Sequence, residues 1–335
     1  MRRKLSIGLL LFSCTTLTAM LLWGRQQADQ SNVAGRDQEG YRIRVEVNTI
    51  NVPVTVRRPA GGFIKGLSEN DFRIFEDGEP QEISVFAQEG LPTHLAIVLD
   101  ISGSVGPEWG TIKYATKRFL EHLKPEDQFS LTSFNTEIKL RMDWGRKTDR
   151  IDPVLTSIYC KGNTKLWDAI YVVSNDVFKG IQGKKAIIIM SDGMDNDSAV
   201  SYENALQAAV RSEAAIYVVS KTEAIRQLYM AANKGSYYGG IPNDAFVQAD
   251  LVLRKLAYET GGRVLYPNTF GQLDNIYAEV DEELRNQYTL GYVSSNTIKD
   301  GSYRKITVSV KEKGAAISAR PGYYAPDARG RANPN

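Results

Sequence analysis

Three short stretches of almost unbroken apolar sequence constrain this chain more than anything else: LAIVL at 95–99, AIIIM at 186–190 and AIYVV at 215–219. Each has the length of a strand and is shorter than a typical helix. A strand with one wet face alternates apolar and polar residues. These do not, so both faces of each are predicted to be buried. Residues 94–99, 129–134, 186–190, 215–219 and 263–266 read as strands on this basis. Between them lie segments with helical spacing, among them Leu166, Ile170, Val173 and Val177, and Leu273, Tyr277, Val280 and Leu284. Strand and helix in alternation predict an α/β fold, a doubly wound, mostly parallel sheet with helices on both faces. Residues 138–144 follow the second strand after a short turn and are predicted to form an antiparallel edge.

On either side of this region the period changes to two. Ile43, Val45 and Val47 alternate, then Ile50, Val52, Val54 and Val56 in the opposite phase, with a bulge or bend expected at Asn48 and Thr49. Phe72 and Ile74 start a further strand, residues 76–79 (EDGE) turn it, and Ile83 and Val85 return. Near the C-terminus Tyr288, Leu290 and Tyr292 alternate, then Ile306, Val308 and Val310, with 299–301 (KDG) as the turn and Ile317 and Ala319 in a last short strand. Neither flank, the N-terminal one at roughly 45 residues, could bury a core alone, so the two are predicted to pair in a small β-sandwich-like module. The expected organisation is an export segment at 1–24, a linker at 25–40, an N-terminal β module at 41–90, the α/β domain at 91–287, C-terminal strands completing the β module at 288–324, and a disordered tail at 325–335.

Arg2, Arg3 and Lys4 precede an apolar run over 5–23, the pattern of an export signal. The run is about as long as a bilayer span, and no A-x-A cleavage site follows it. Two outcomes stand open, a cleaved signal peptide or an uncleaved N-terminal anchor that ties the protein to a membrane. In both, the remainder is predicted to be extracytoplasmic, periplasmic or at the cell surface. Cys14 stands where a lipoprotein cysteine could, but the apolar run continues past it. Cys160 is the only other cysteine, so a mature chain has no intramolecular disulfide, and Cys160 reads as a small loop thiol. The 335 residues carry 41 Lys and Arg against 39 Asp and Glu, for a net charge of +2. There is no long basic run, and no nucleic-acid partner is expected.

The sharpest chemical signal follows the first apolar run. Asp100-Ile101-Ser102-Gly103-Ser104 leads through Gly106 and Pro107 into a helix-like segment over 109–123. In a doubly wound sheet, ligands bind at the C-terminal ends of the strands. Asp192 stands at another such end, in IIIMSDG at 187–193, and Gly162, Asn163 and Thr164 open the helix near Leu166. Three loops of one face so offer Asp100, Ser102, Ser104, Thr164 and Asp192. Helix capping would account for the serines but not for Thr164 and Asp192 as well. Two carboxylates about 5 Å apart at an effective dielectric of about 20 repel by roughly 3 kcal/mol, and a cation reverses the sign. A few oxygen donors suit Mg²⁺, with Mn²⁺ or Ca²⁺ as alternatives. Zinc would want His or Cys. The two histidines, His94 and His122, fall at a strand start and a helix end and read as structural. Asp195, Asn196 and Asp197 extend the third loop, as a second cation site or as a solvated acidic loop. Residues 229–244, rich in Tyr and Gly, either rim the same face or form a flexible insertion.

Asp-x-Ser-x-Ser, then a Thr before a helix, then Ser-Asp-Gly after an apolar strand, in that order, resemble the metal-ion-dependent adhesion site of von Willebrand factor type A domains, over about 91–288. The flanking segments VPVTV at 52–56, DFRIFEDG at 71–78, QYTLGY at 287–292 and RPGYYAP at 320–326 are similar to those of the von Willebrand factor type A related proteins abundant in Acidobacteria. The resemblance implies a Rossmann-like domain in which Ser102 and Ser104 bind the metal directly and Asp100 acts mostly through water. Thr164 and Asp192 would exchange direct and water-mediated roles. It further implies that an open coordination position takes a Glu or Asp from a partner protein, and that the last helix, 272–285, shifts when it does. Here that helix runs directly into the C-terminal strands, so a shift would move the β module.

The expected function is a non-enzymatic, metal-dependent protein-binding module for adhesion or interaction, with no small-molecule substrate. The alternative is an assembly protein of envelope complexes whose metal is mainly structural. A metal-dependent hydrolase has less support. Phosphatases with an aspartyl nucleophile on this kind of sheet usually carry a second Asp where Ser102 stands. No G-x-S-x-G elbow occurs, two scattered histidines make a Ser-His-Asp triad unsupported, and GIQGKK at 180–185 lacks the spacing of a phosphate loop.

Overall fold

The computed structural model describes residues 49–88, 91–146, 148–223 and 243–328. The export segment, the linker, the strand expected at 43–47 and most of the Tyr/Gly-rich stretch lie outside the described residues.

Four strands come first: β1 (Thr49–Arg57), β2 (Phe72–Glu76), β3 (Glu79–Gln81) and β4 (Ile83–Ala87). The α/β region follows, with β5 (Thr93–Asp100), α1 (Trp109–Glu121), β6 (Gln128–Phe134), β7 (Ile138–Gly145), α2 (Ile151–Thr156) and α3 (Leu166–Val172). It continues through β8 (Lys184–Ser191), α4 (Tyr202–Ser212), β9 (Ala215–Ser220), α5 (Asn243–Glu259), β10 (Val264–Leu265) and α6 (Leu273–Arg285). The last strands are β11 (Tyr288–Val293), β12 (Tyr303–Val310), β13 (Ala316–Ala319) and β14 (Gly322–Tyr324).

The central sheet has the order β10-β9-β8-β5-β6-β7. Its neighbours are parallel except β6 and β7, so residues 138–144 do form the antiparallel edge. Successive side chains of a strand point to opposite faces, and the apolar runs divide accordingly. Leu95, Ile97, Leu99, Ile188, Met190, Tyr217 and Val219 pack with Ile112 and Phe119 of α1 and Tyr277 and Val280 of α6. Ala96, Val98, Ile187, Ile189, Ile216 and Val218 pack with Ile170 of α3, Ala205 of α4 and Leu253 of α5. Burying one such large side chain stabilises by about 1.5–3 kcal/mol. A run that is apolar at every position therefore holds two helical layers at once.

The flanking strands form two antiparallel sheets, β13-β1-β11-β4 and β14-β12-β2-β3. They share a third core that includes Val52, Val54, Val56, Phe72, Ile74, Tyr288, Leu290 and Ile306. Strands from both ends of the chain so complete each other. The pairings differ from the sequence expectation in detail. Ile83 and Val85 do not return beside Phe72 and Ile74. The return after the turn is the short β3, and the chain then breaks at Glu82 and crosses to the other sheet, where β4 pairs with β11. This covers the second edge of β11, whose first edge is bonded to β1, and an uncovered edge would expose its backbone donors and acceptors. Nor do β11 and β12 form a hairpin across 299–301, because they belong to different sheets. The tail expected from Ala325 is packed as far as residue 328: Ala325 is fully buried, its N–H donates to Ser302 O at 2.8 Å, and Gly301 N–H donates to Pro326 O at 3.1 Å.

Glu76 joins the two sheets. It is buried with Arg304 beside it at 3.3 Å, and it accepts from Tyr292 Oη at 2.8 Å, Tyr323 Oη at 3.0 Å and Ser294 Oγ at 2.6 Å. A buried carboxylate is costly unless its lone pairs are met. Residues from three of the flanking motifs, EDG, TLGY and RPGYY, meet at this one carboxylate. Burial and this acceptor together raise the Tyr292 hydroxyl far above its ordinary range. A second buried carboxylate, Glu283 on α6, accepts from Arg57 Nη2 of β1 and Arg263 Nε before β10, both at 2.5 Å. The sandwich and the α/β region are thus fastened at the end of the helix that leads into β11.

Candidate functional site

The site lies where the chain reverses its direction of winding. From β5 it proceeds to β6 on one side, and from β8 to β9 on the other, so β5 and β8 are neighbours whose following loops part to opposite faces. The segments around the C-terminal ends of the strands are tied together by backbone. Ile101 N–H donates to Phe134 O at 2.9 Å, Lys161 N–H to Ile101 O at 2.9 Å, Gly103 N–H to Gly162 O at 3.2 Å, and Lys221 N–H to Ser191 O at 3.0 Å.

Asp100 ends β5 and is almost fully buried. Its Oδ1 accepts from Ser102 N–H at 2.8 Å, which fixes the loop and turns Oδ2 toward the site. Ser102 and Ser104 follow, with their hydroxyls 3.2 Å apart, and a 3-10 turn over Gly103–Glu108 carries the chain into α1. Thr164 is buried and held by Asn196, whose Oδ1 accepts its N–H at 2.9 Å while Asn196 N–H donates to Thr164 O at 3.2 Å. Gly162, two residues earlier, sits at φ +79°, and a Cβ there would meet Thr136 Oγ1 at 2.4 Å, so a larger residue would displace the loop. Asp192 directly follows β8 and is buried, with Met194 N–H donating to its Oδ1 at 3.1 Å. Asp100, Ser102, Ser104, Thr164 and Asp192 so lie on three loops cross-tied at the C-terminal end of the strands.

In the third loop Asp195 is engaged by the fold itself. Asp195 Oδ1 accepts from Leu166 N–H at 2.7 Å and Ser198 Oγ at 2.6 Å. It caps α3 from another loop, satisfying a first-turn donor that has no helical partner. Asp168 of α3 answers by accepting from Val200 N–H at 2.8 Å. These bonds make the third loop the clamp that sets Thr164.

Lys221 was not among the residues expected in the site. It follows β9 and reads from the sequence as the first residue of a long loop. In the structure its side chain is 1% exposed, its Nζ donates to Asp100 Oδ2 at 2.7 Å, and it stands 3.7 Å from Asp192 Oδ2. Burial alone would drive its proton off, but Asp100 and Asp192 outweigh that and raise its pKa. The available signal was positional: Lys221 directly follows an all-apolar strand that neighbours the one ending at Asp192.

The remaining titratable groups stand outside this arrangement. Burial, then the charge of Asp100, pushes the Cys160 thiol up to about 11, so the thiolate is disfavoured at neutral pH. His122 ends α1 with Nδ1 2.6 Å from Arg118 O. His94 lies at the opposite end of β5, edge-on to Trp144, and burial lowers its pKa. Among the described residues no three His, Cys, Asp or Glu side chains gather, and no helix is long and apolar enough to cross a membrane.

The family model of the von Willebrand factor type A domain matches residues 94–279. No curated protein matches. Among solved structures, an aerotolerance-related membrane protein from Bacteroides fragilis is 16% identical, with 57% of this chain and 98% of that chain covered and a TM-score of 0.43. A von Willebrand factor type A protein from Catenulispora acidiphila is 12% identical over 80% of this chain and 78% of that one, with a TM-score of 0.47. Proximal thread matrix protein 1 from the mussel byssus, with a zinc-occupied MIDAS motif, is 15% identical over 62% and 49%, with a TM-score of 0.44.

Proposed function

The chain belongs to the von Willebrand factor type A family, and on that premise we propose that it is an extracytoplasmic, metal-dependent protein-binding module. In this reading Ser102, Ser104 and Thr164 offer hydroxyl oxygens, Asp100 and Asp192 offer carboxylates, and together they hold Mg²⁺. The donor set supports that fit. It is oxygen throughout, as a hard cation prefers. When bound, the metal supplies an electrophilic position that accepts an Asp or Glu carboxylate from a partner protein.

The chain's own residues do the positioning. Asp100 folds the first loop onto its own carboxylate, which presents both serines in one short turn. Asn196 holds Thr164, and Asp195 anchors the helix behind it. The single observation that carries the reading is the cross-tying of three loops bearing two buried carboxylates and three hydroxyls at the winding reversal of the sheet. Export by the N-terminal segment, cleaved or retained as an anchor, belongs to the same proposal.

The test begins with Mg²⁺ alone. The protein should melt at a higher temperature in Mg²⁺ than in EDTA. Asp100→Ala should abolish the difference, and so should Ser104→Ala, which leaves Lys221 paired. Equal melting of the unmodified protein in EDTA and in Mg²⁺ raised to saturation would remove the site. The carboxylate step is tested by Mg²⁺-dependent capture from envelope extract. Capture should be lost when the extract's carboxyl groups are first amidated, and capture that survives amidation would refute the carboxylate.

A further inference from the structure

Two buried carboxylates and one buried ammonium share the centre of the site. Lys221 Nζ is 2.7 Å from Asp100 Oδ2 and 3.7 Å from Asp192 Oδ2, and its side chain is 1% exposed. Its backbone is fixed as well, since Lys221 N–H donates to Ser191 O at 3.0 Å, the residue before Asp192. The next residue adds a further tie, with Thr222 Oγ1 donating to Asp192 O at 3.4 Å. A lysine on a free loop could swing away from the site. This one is tethered at the foot of a sheet strand and enclosed.

We propose that Lys221 is a resident counter-cation, which keeps the domain folded without metal and weakens its hold on a divalent ion until an anionic partner arrives. The inference rests on the metal-site reading above and follows from charge. Asp100 and Asp192 with Lys221 leave the enclosed site with one net negative charge. A divalent cation changes that to one net positive charge, because the ammonium stays tethered. A carboxylate from a partner then brings the site to neutrality. Metal and partner therefore bind cooperatively, each raising the affinity of the other by the same factor.

The test compares the unmodified protein with Lys221→Met, Lys221→Gln and Lys221→Arg. Mn²⁺ binding is read by titration calorimetry, and melting is measured in EDTA and in Mg²⁺. Gln keeps a hydrogen-bond donor without the charge, and Arg keeps the charge. Met and Gln should each bind Mn²⁺ about tenfold or more tightly than the unmodified protein, as removal of a unit charge close to a divalent ion requires. Both should melt lower in EDTA and gain more from Mg²⁺, while Arg should stay near the unmodified protein. A Met variant that folds only when Mg²⁺ is present supports the inference. Folded Met and Gln variants that bind Mn²⁺ no tighter than the unmodified protein overturn it and leave the metal site standing. Failure of both to fold even in excess Mg²⁺ also overturns it, because the metal must be able to replace the missing charge. If neither the unmodified protein nor any variant binds Mn²⁺, the metal site itself falls.

Discussion

Glu283 is the residue whose removal should most clearly separate the two halves of the molecule. Its carboxylate is 1% exposed and accepts from Arg57 Nη2 and Arg263 Nε at 2.5 Å each, with Thr55 Oγ1 at 3.4 Å. Removing one partner of a buried ion pair costs about 3–5 kcal/mol, because the other charge is left without compensation. Here the two side chains left behind are 30% and 28% exposed, so water can partly reach them, and Arg263 keeps Glu279 at 2.6 Å. The low end applies, and Glu283→Ala should cost about 3 kcal/mol. Glu283→Gln keeps the shape and one acceptor, loses the charge, and should cost about 2 kcal/mol. Urea denaturation gives both values, with the m-value unchanged. Because Glu283 ties α6 to β1, hydrogen exchange in β11 should also speed up. An Ala variant that loses less than about 1 kcal/mol at constant m would refute the reasoning, since it would mean that the arginines are no better off with the carboxylate than with water. The same fastening is what would transmit a shift of α6 into the sandwich. If exchange over Leu273–Arg285 and Tyr288–Val293 is unchanged when a captured partner saturates the site, that coupling does not exist.

Asp195→Ala removes a helix cap made from another loop and should cost about 1–2 kcal/mol in urea denaturation. The loss should be accompanied by a smaller Mg²⁺-dependent rise in melting temperature, as Thr164 loosens. Lys184 is depressed to about 8 from an ordinary 10.5, first by burial and then by Arg285. The unfolded chain binds this proton more tightly, so the penalty on the fold is full below pH 8 and fades as the pH rises toward 10.5. Lys184 also donates to Leu284 O at the end of α6, a bond that the variant gives up. Lys184→Met should therefore stabilise by about 2 kcal/mol at pH 7, and the gain should vanish near the ordinary lysine pKa. A gain independent of pH would show that it comes from packing instead.

Local pattern was enough to read the central sheet, most of the sandwich strands and the five candidate oxygen-bearing residues. Apolar residues at every position of 95–99, 186–190 and 215–219 leave no face for water, and the period-two stretches leave one, so layer and face follow from local pattern alone. Asp100, Ser102, Ser104, Thr164 and Asp192 were legible because they cluster where strands end and helices begin, where strand direction fixes the end of the sheet. Which distant elements meet was left to the three-dimensional packing. The crossing of β4 to β11 depends on an edge that another part of the chain leaves open. Glu76 reads as a turn residue until Arg304 is brought to it, and nothing local marks Glu283 until Arg57 and Arg263 reach it. Lys221 is the sharpest case. A lysine after a strand signals exposed loop by its chemistry, since ammonium groups stay in water unless they are paired. Its partners lie 121 and 29 residues away, 121 being the separation from Asp100 and 29 that from Asp192. No local pattern carries that information. It took folding the strands side by side to place a fixed positive charge among the residues that the sequence had marked for a metal.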